Sequence, residues 1–540
     1  MFRTLTALAL TGLLLSSCEP TQRTNPEAEK ARAAARIKAQ QEKAAADAEA
    51  ARKAEEARKK AAEEAAARQA AAAKPAPAPD ASSSILLVNS SLQNYNPMQP
   101  WEKENVRKVS ALGVSLGNGM VLTTGNVVKA ATYVELSLPD QSRTVPARVI
   151  RWDEDLNLAL LGVLHESDAS IISDRVALQT GDPMKQGDAA ELAGLVDGLV
   201  PVKIPMQAES FEVDTIPQLQ LRAARPIPAE HDSGAPVMKD GKLVGLSVGY
   251  NAESMLLTVV NAEMIQRFLA QQEGEAVPVL GLQFAKLSDP VFRRYLKLAP
   301  DSGGLYISKV LPGGSAESVG IRKGDVLMAV DDMPIDNVGR CKHPLYGTID
   351  ATAVLRGHKP VGAVLNLSIS RAGQIQNFNM TLDRKVMDSR MFGVDKTGVQ
   401  PRYVMWGGLL FQPLTETYLN HIRRASGGNI PLEFQKLVND EDALRAEGIT
   451  EVVALTAVVP TPATLGYDSV RFCRVEAVNG KEVKDFTHFV HLLDEPAENG
   501  LVELRLNKAP FRIYLDVNAV ESANRILQEK GISPLRVVER

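Results

Sequence analysis

Cysteine and histidine are scarce in this chain. Of its 540 residues, three are cysteine and seven are histidine. The histidines are scattered, and none forms a ligand-spaced cluster with cysteine or carboxylates, so we expect neither a metal site nor a cofactor. Cys341 and Cys473 fall in different predicted domains, and no structural disulfide is expected between them.

An excess of charge of one sign is missing as well. The chain has 61 Lys and Arg residues against 65 Asp and Glu residues, a net charge of −4 and a pI of about 6.1. This balance gives no indication of a nucleic-acid partner. Long apolar runs are also absent, because the stretch at residues 5–15 is too short to span a bilayer and no later segment is apolar enough.

The N-terminus has the features of an export signal. Arg3 precedes the apolar stretch, which ends Leu15-Ser16-Ser17-Cys18. This run resembles a bacterial lipoprotein signal with its lipobox. The resemblance implies that residues 1–17 are removed, that Cys18 carries the lipid, and that the chain is anchored in the cell envelope facing the periplasm. Glu19 favours the outer membrane. An ordinary signal peptide with a chance cysteine is the alternative.

Residues 18–84 are predicted to be a lipid anchor, a long helical spacer and a linker. Residues 27–74 are almost entirely Ala, Glu, Lys, Arg and Gln, and oppositely charged pairs such as Glu49 with Lys53 stand four apart. A helix of this length reaches about 70 Å. Alanine fills nearly all its apolar positions, which favours a solvated spacer over a coiled coil. Pro75-Ala76-Pro77-Ala78-Pro79 ends the helix.

Residues 85–272 have the pattern of a mainly β domain. Short apolar segments alternate with turn signals, and Gly117-Asn118-Gly119 separates two of them. Because Asn and Gly accept positive φ, this tripeptide predicts a hairpin turn. Regularly spaced short strands predict a barrel or a sandwich.

Fragments in this domain resemble the ordered landmarks of the HtrA/Deg serine proteases. They are Gly113-Val114, Leu122-Thr123, Val127-Val128, Asp155-Leu156-Asn157-Leu158-Ala159-Leu160 and Asp232-Ser233-Gly234-Ala235-Pro236. The resemblance implies a trypsin-like double β-barrel with Ser233 at the nucleophile position. It also places Asn126 where the family has its histidine and Asn157 where it has its aspartate. Since an amide can neither take the serine proton nor orient a base, the resemblance implies a vestigial nucleophile.

The surroundings of Ser233 depart from the family motif Gly-Asn-Ser-Gly-Gly at three positions, which hold His231, Asp232 and Ala235. The first glycine of the motif helps to form the oxyanion hole, and a Cβ at position 231 hinders the backbone rotation this requires. Two alternatives remain open. His231 or His165 would act as an unusual base, or Ser233 would be a turn residue without catalytic history.

Residues 278–386 resemble a PDZ domain. The resemblance rests on Val279-Leu280-Gly281-Leu282-Gln283-Phe284, Gly313-Gly314-Ser315-Ala316 and Lys323-Gly324-Asp325-Val326. It implies that an extended peptide pairs with an exposed strand edge. The loop of Leu280, Gly281 and Leu282 would receive the terminal carboxylate, and Phe284 would be among the apolar neighbours that take the last side chain.

Residues 400–540 resemble a second, divergent PDZ domain with a C-terminal helix. Gly407, Gly408 and Leu409 are its predicted peptide-binding positions, although residues of the chain itself are an alternative occupant of this loop. We expect a helical insertion around residues 443–447, a helix at about residues 486–493, and a final helix at residues 520–530 that packs on this domain.

The sequence as a whole therefore predicts a mainly β, multi-domain protein: a trypsin-like double β-barrel and two PDZ domains, preceded by a long N-terminal helix. Its leading functional interpretation is an envelope-anchored scaffold without protease activity, which binds peptides or unfolded proteins in protein quality control. The alternatives are an active serine endopeptidase with a non-standard base, and a tether whose PDZ domains bind nothing. The family resemblance also implies a homotrimer, and residues 92–101, with Tyr95 and Trp101, would either supply its contacts or pack on their own barrel.

Overall fold

The structure is a computed structural model that describes residues 53, 60, 81–197, 199–213, 216–271, 277–300, 302–387 and 389–539. The export signal, Cys18 and the predicted spacer helix lie outside these residues, apart from Lys53 and Lys60, which are both helical. The chain divides into two units, Met1–Ala78 and Pro79–Arg540, and the second unit contains the barrels and the PDZ domains. None of the described helices is both long and apolar enough to cross a bilayer.

Fourteen strands and two α-helices lie among the described residues of the range 85–270. The strands are β1 Ile85–Leu92, β2 Tyr95–Asn96, β3 Gln99–Lys103, β4 Arg107–Gly117, β5 Met120–Thr124, β6 Ala131–Ser137, β7 Thr144–Asp153, β8 Leu158–Val163, β9 Ala189–Val196, β10 Val200–Val213, β11 Pro217–Ala223, β12 Pro236–Lys239, β13 Lys242–Asn251 and β14 Leu256–Asn261. The helices are α1 Ser170–Ser173 and α2 Ala262–Ala270.

These strands close into two antiparallel barrels. The first has the order β1-β4-β5-β8-β7-β6, and the second has the order β10-β11-β14-β13-β12-β9. In β1, every second residue from Leu86 onward is buried, which is the period of a strand with one face in a core. The predicted turn between β4 and β5 is confirmed, because Gly117, Asn118 and Gly119 all have positive φ.

The first PDZ domain follows the barrels. Its strands are β15 Leu282–Lys286, β16 Leu305–Val310, β17 Val326–Val330, β18 Met333–Pro334, β19 Arg340–His343, β20 Gly347–Asp350, β21 Val364–Arg371 and β22 Gln374–Thr381, and its helices are α3 Pro290–Tyr295, α4 Ser315–Ser318 and α5 Ala351–Gly357. The main sheet has the order β15-β16-β17-β21-β22, which leaves β15 at one edge, while β19 and β20 form a separate hairpin.

The second PDZ domain has strands β23 Tyr403–Trp406, β24 Leu409–Pro413, β25 Val453–Val458, β26 Cys473–Val478, β27 Lys481–Glu482, β28 Leu501–Leu506, β29 Arg512–Asp516 and β30 Arg536–Val537, and helices α6 Glu416–Ala425, α7 Leu432–Asn439, α8 Glu441–Ala446, α9 Phe486–Asp494 and α10 Val517–Glu529. The sheet order is β29-β28-β26-β25-β24-β23-β30. The helical insertion comprises α6, α7 and α8 and is longer than expected. The final helix packs on this domain through Val520, as predicted.

Packing joins these domains within the second unit. One apolar core continues from α2 of the second barrel, with Met264 and Phe268, into the first PDZ domain, with Val354 and Leu355. Cys341 and Cys473 are free and buried. Burial raises the pKa of the Cys341 thiol to about 11 and that of Cys473 to about 12, so both stay protonated at neutral pH.

Candidate functional site

Ser233 lies in a loop that the two barrels hold between them. This loop leads from a short 3₁₀ helix, Ala229–His231, into β12. The carbonyl of Ser233 accepts a hydrogen bond from the Leu112 amide in β4 at 2.9 Å, and the Gly234 amide donates to the Ser247 carbonyl in β13 at 2.8 Å. Gly234 has φ +81°, and a Cβ there would collide with the Leu112 carbonyl. The position therefore requires glycine, and the backbone hydrogen bonds hold the loop against β4 and β13.

The hydroxyl of Ser233 has a hydroxyl partner instead of a base. Its Oγ lies 2.9 Å from Oγ1 of Thr124, which is buried at the end of β5. A threonine hydroxyl has no tendency to take a proton at neutral pH, so this hydrogen bond does not generate an alkoxide. Sequence reasoning missed Thr124, because nothing near Leu122-Thr123 distinguishes it from an ordinary strand residue.

Hydrogen bonds to backbone N–H groups connect the two asparagine positions. The amide N–H of Asn126 donates to Oδ1 of Asn157 at 2.8 Å, and the Gly125 amide donates to the Asn157 carbonyl at 2.9 Å. Asn157 has φ +52°, a region that asparagine tolerates better than most residues. Among the described hydrogen bonds, none joins either asparagine to Ser233. The structure thus links Asn126 to Asn157 through a backbone N–H, and Ser233 to Thr124 through its hydroxyl.

The backbone amide at the oxyanion position is already used. His231 N–H donates to the Pro228 carbonyl at 2.9 Å, within the 3₁₀ turn, and Asp232 N–H donates to the Ala229 carbonyl at 3.3 Å. An oxyanion hole needs donors that are free and aimed at the substrate. In this conformation the loop withholds the amide of His231.

The imidazole of His231 points into the second barrel. The side chain is fully buried, and its Nε2 lies 3.0 Å from the Leu195 amide nitrogen in β9. Burial lowers the pKa of His231, which favours the neutral ring. Gly194 makes room for it, because a Cβ there would collide with the ring. His165 is exposed after β8, and among the described residues neither histidine hydrogen-bonds Ser233.

The predicted peptide-binding loop of the first PDZ domain borders an open strand edge. Gly281 has φ +71°, and its carbonyl accepts from the Leu311 amide at 2.7 Å. Leu282 stands opposite Val310 in the antiparallel pair of β15 and β16. Because hydrogen bonding alternates along such a pair, the amide of Leu282 points away from β16. Leu280 is buried, and Leu282 and Phe284 pack on the domain core from one side.

The corresponding loop of the second PDZ domain is engaged by the chain itself. Gly407 and Gly408 form a two-residue turn, with Trp406 opposite Leu409, so that β23 pairs with β24 on the side away from β25. The Gly407 amide donates to Oδ1 of Asn524 in α10 at 2.8 Å. Both edges of β24 are therefore paired, and the loop amide already has an acceptor.

An ion pair joins the Asn157 region to the C-terminal end of the first PDZ domain. Nη1 of Arg384 lies 2.8 Å from Oδ2 of Asp155, and the guanidinium also donates to the Val277 carbonyl. Val386 follows Arg384 and packs beside Gly281, where a Cβ would come within 3.1 Å of it. Asp155 and Arg384 are 229 residues apart along the chain, so no local sequence pattern indicates their ion pair.

Comparison with known proteins gives two domain matches and many relatives. PDZ domain family models match residues 393–536 and 281–342. "Protease Do-like 2, chloroplastic" of Arabidopsis thaliana is 24% identical over 458 residues, which cover 80% of this chain and 71% of that protein. "Periplasmic serine endoprotease DegP" of Escherichia coli is 25% identical over 303 residues, which cover 52% of this chain and 58% of DegP.

A solved structure, "HtrA-type protease AlgW with decapeptide", has 16% identity and a TM-score of 0.40, and the match covers 56% of this chain and 96% of that one. This structural similarity is too low to carry an argument. The assignment depends on the sequence relatives, the two closed barrels and the PDZ matches. Together they confirm the predicted fold class, a trypsin-like double barrel followed by PDZ domains, and the chain is similar in sequence to HtrA/Deg proteases.

Proposed function

We propose that this HtrA/Deg-like protein has no protease activity and serves as a binding scaffold in the bacterial cell envelope. The observation that supports the proposal is the hydrogen bond between Ser233 and Thr124, which leaves the serine without a base. The engaged amide of His231 supports it independently, since a transition state would lack that donor. In a serine protease of unrelated fold with the same triad chemistry, loss of the base alone costs about 10⁶ in turnover.

Proteolysis of an unfolded substrate tests the first half of this proposal. Purified full-length chain and its Ser233→Ala variant are incubated with casein, with DegP as the active reference. We expect the two chains to give the same background, and a fluorophosphonate probe to label Ser233 no faster than free serine. Casein cleavage that disappears in Ser233→Ala would establish an active endopeptidase with a non-standard base and end the proposal.

The scaffold captures peptide ends through the first PDZ domain. The open edge of β15 offers backbone hydrogen bonds, and the apolar side chains of Leu280, Leu282 and Phe284 lie along it. The second PDZ domain contributes less, because β23 and Asn524 occupy the corresponding edge and amide. Peptide ends and unfolded segments are the ligands that such an edge accepts, which suits a role in envelope protein quality control.

Peptide affinity tests this second half. Fluorescence anisotropy with a labelled peptide that ends in an apolar residue is expected to give saturable binding, weakened at least about tenfold by a C-terminal carboxamide. Leu282→Pro removes the amide that faces the ligand and should abolish binding. Asn524→Ala, in the second PDZ domain, is the matched control and should leave the affinity unchanged. Equal binding of acid and amide peptides would contradict capture of C-terminal ends.

Attachment to the membrane is the remaining part of the proposal. Cys18 would carry the lipid, and residues 18–84 would hold the folded domains away from the bilayer on the periplasmic side. Expression in a Gram-negative host followed by fractionation is expected to place the chain with membranes, with a weak preference for the outer one. Cys18→Ser should move it to the soluble fraction, and an unchanged distribution would refute lipid anchoring.

A further inference from the structure

Two histidines of the first PDZ domain form a contact at the surface where this domain packs on the second barrel. His343 ends β19, and His358 follows α5. Nε2 of His343 lies 3.0 Å from Nδ1 of His358, and the two rings are nearly perpendicular. His343 is only 5% exposed, and His358 is partly buried. We call these two residues the histidine pair.

The hydrogen bonds of the histidine pair fix both rings as neutral. Nδ1 of His343 accepts from the amides of Leu345 and Tyr346, at 3.1 and 3.2 Å, so it carries no proton. Its Nε2 therefore holds the proton and donates to Nδ1 of His358. The proton of His358 is then on Nε2, which lies 3.2 Å from Oδ2 of Asp331. A further proton on either ring would place a donor against a donor.

Aromatic and polar contacts connect the histidine pair to the barrel. Tyr346 stacks on His343, with ring centroids 4.3 Å apart, and meets Phe211 of β10 edge-on at 4.9 Å. Its hydroxyl donates to Glu263 of α2. Arg267, also in α2, donates to the His358 carbonyl at 3.1 Å. The same residues therefore surround the imidazoles and hold the two domains together.

The charged groups that face the histidine pair already neutralise one another. Arg267 pairs with Glu263 at 3.3 Å, and Lys359 pairs with Asp331 at 2.9 Å. Asp331 is an ion already, because the Asn366 amide and Lys359 outweigh its burial and lower its pKa. Asp331 is thus shared between Lys359 and Nε2 of His358, and it offsets part of the charge of a protonated His358. His343 is buried and has no carboxylate partner among the described contacts, so a proton on its Nδ1 would be an uncompensated charge facing the Leu345 and Tyr346 amides.

We propose that the histidine pair makes the contact between the first PDZ domain and the second barrel sensitive to acid: when the imidazoles are protonated, the PDZ domain separates from the barrel. Separation exposes both rings to water, where the added charges are solvated and the donor conflict disappears. This inference concerns how the domains are held together and does not depend on what the PDZ domain binds.

The direction of the effect follows from the proton affinities of the two states. Burial lowers the pKa of His343 to about 4, with His358 adding to the shift, and burial also lowers the pKa of His358. The separated form binds protons once the pH falls below about 6.5, while the docked form resists them. Docking is thus fully favourable above that pH. Between about 6.5 and 4, titration of His343 lowers the docking equilibrium constant by up to about tenfold per pH unit, and titration of His358 acts in the same direction.

Hydrogen exchange on the full-length chain tests the proposal. Exchange is measured by mass spectrometry at pH 7 and pH 5, corrected for the intrinsic rate at each pH. We expect α2 and the hairpin of β19 and β20 to lose at least about tenfold in protection at pH 5, while β21 and β22 keep theirs. The loop around His231 is left out of the comparison, because burial lowers the pKa of that histidine as well.

A double variant tests whether the histidine pair is responsible. In His343→Asn with His358→Gln, the asparagine oxygen still accepts from the Leu345 and Tyr346 amides, and neither side chain titrates. Its protection in α2 should be the same at pH 5 and pH 7. The exposed His165→Asn is the matched control and should behave like the parent chain.

Three results would overturn the inference. The first is equal protection of α2 at pH 7 and pH 5 in the parent chain. The second is a loss of protection in β21 and β22 together with α2. The third is an acid response that persists in the double variant. If the double variant does not fold, ¹⁵N-histidine NMR on the parent chain decides the question. Two imidazoles should then titrate together with the change in α2, and independent titration would refute the coupling.

Discussion

Packing and backbone conformation explain which residue types surround Ser233. Asn157 and His231 hydrogen-bond backbone amides of neighbouring segments, and Thr124 hydrogen-bonds the Ser233 hydroxyl. An asparagine at position 157 suits its positive φ, and a histidine at position 231 suits the space left by Gly194. The residues that the proposed function treats as incompatible with catalysis are therefore also residues that fit the local backbone and packing.

Gly234 gives the prediction at this scale. Gly234→Ala places a methyl group against the Leu112 carbonyl and forces alanine into φ +81°, so we expect a loss of about 3 kcal/mol or more in the free energy of unfolding. Gly187→Ala is the control, since it also has positive φ, at +89°, but no atom within 4 Å of the added carbon. It should cost about 1 kcal/mol.

Urea denaturation of the three chains makes the comparison, provided that the slope of the free energy with denaturant is unchanged. The difference between the two variants measures the collision, because both share the penalty of positive φ. Equal losses for Gly234→Ala and Gly187→Ala would mean that the loop moves away from β4. The conclusion that the Ser233 loop is held against β4 would then be wrong.

The positions around Ser233 show how much of the candidate site the sequence predicts. The motif order predicts where Ser233, Asn126 and Asn157 stand, because the barrel topology itself constrains the spacing along the chain. It does not predict the partner of the serine hydroxyl, since Thr124 is one of many strand threonines. From the Cβ at position 231 the sequence predicts that the backbone rotation of an oxyanion hole is hindered, but it does not predict that the His231 amide donates to the Pro228 carbonyl.

Strand pairing in the second PDZ domain depends on tertiary context in the same way. Trp406-Gly407-Gly408-Leu409 is compatible with a carboxylate-binding loop and with a two-residue hairpin turn, because both need positive φ at glycine. The turn is realised, since β23 extends β24 and β30 extends β23. The first PDZ domain has no such added strand beside β15 in the described sheet, which leaves that edge open.

Asn524 gives the prediction at the scale of elements. It is half-buried in α10, and its carbonyl oxygen accepts from the Gly407 amide. Asn524→Ala leaves that amide without an acceptor, and we expect a loss of about 1–2 kcal/mol in the free energy of unfolding. Asn524→Asp keeps an acceptor oxygen and should cost less. Urea denaturation measures both, and equal losses would show that the side chain acts by packing alone.

Contacts between domains that are far apart along the chain hold these domains together. The segment at residues 92–101 is the clearest case. The sequence allows this segment to pack on its own barrel or to supply contacts in a trimer, yet the hairpin of β2 and β3 lies on the second PDZ domain. Gln412 donates to the Pro97 carbonyl at 3.0 Å, and Gln400 donates to the Pro100 carbonyl at 3.0 Å. The homotrimer remains a prediction, which sedimentation of the full-length chain would check.

Trp101 offers the test at the scale of the whole molecule. Its ring lies 6.1 Å from that of Tyr403 in β23, and it packs on the apolar cluster that contains Leu527 and Ile532. Because the indole is only partly buried, Trp101→Ala should cost about 2 kcal/mol, less than a fully buried aromatic residue. The variant should weaken the contact that holds the second PDZ domain, and the stability of the two barrels should not change.

Hydrogen exchange distinguishes a local loss from a general one, because amides report the opening of their own element. In Trp101→Ala, β23 and β30 should exchange faster, and β10 and β11 of the second barrel should be unchanged. Tyr133→Ala removes a half-exposed aromatic ring from β6 of the first barrel and is the control without an effect on β23. If β23 keeps its protection in Trp101→Ala, the hairpin of β2 and β3 does not hold the second PDZ domain. The continuity between the first barrel and that domain would then depend on the backbone linkers alone.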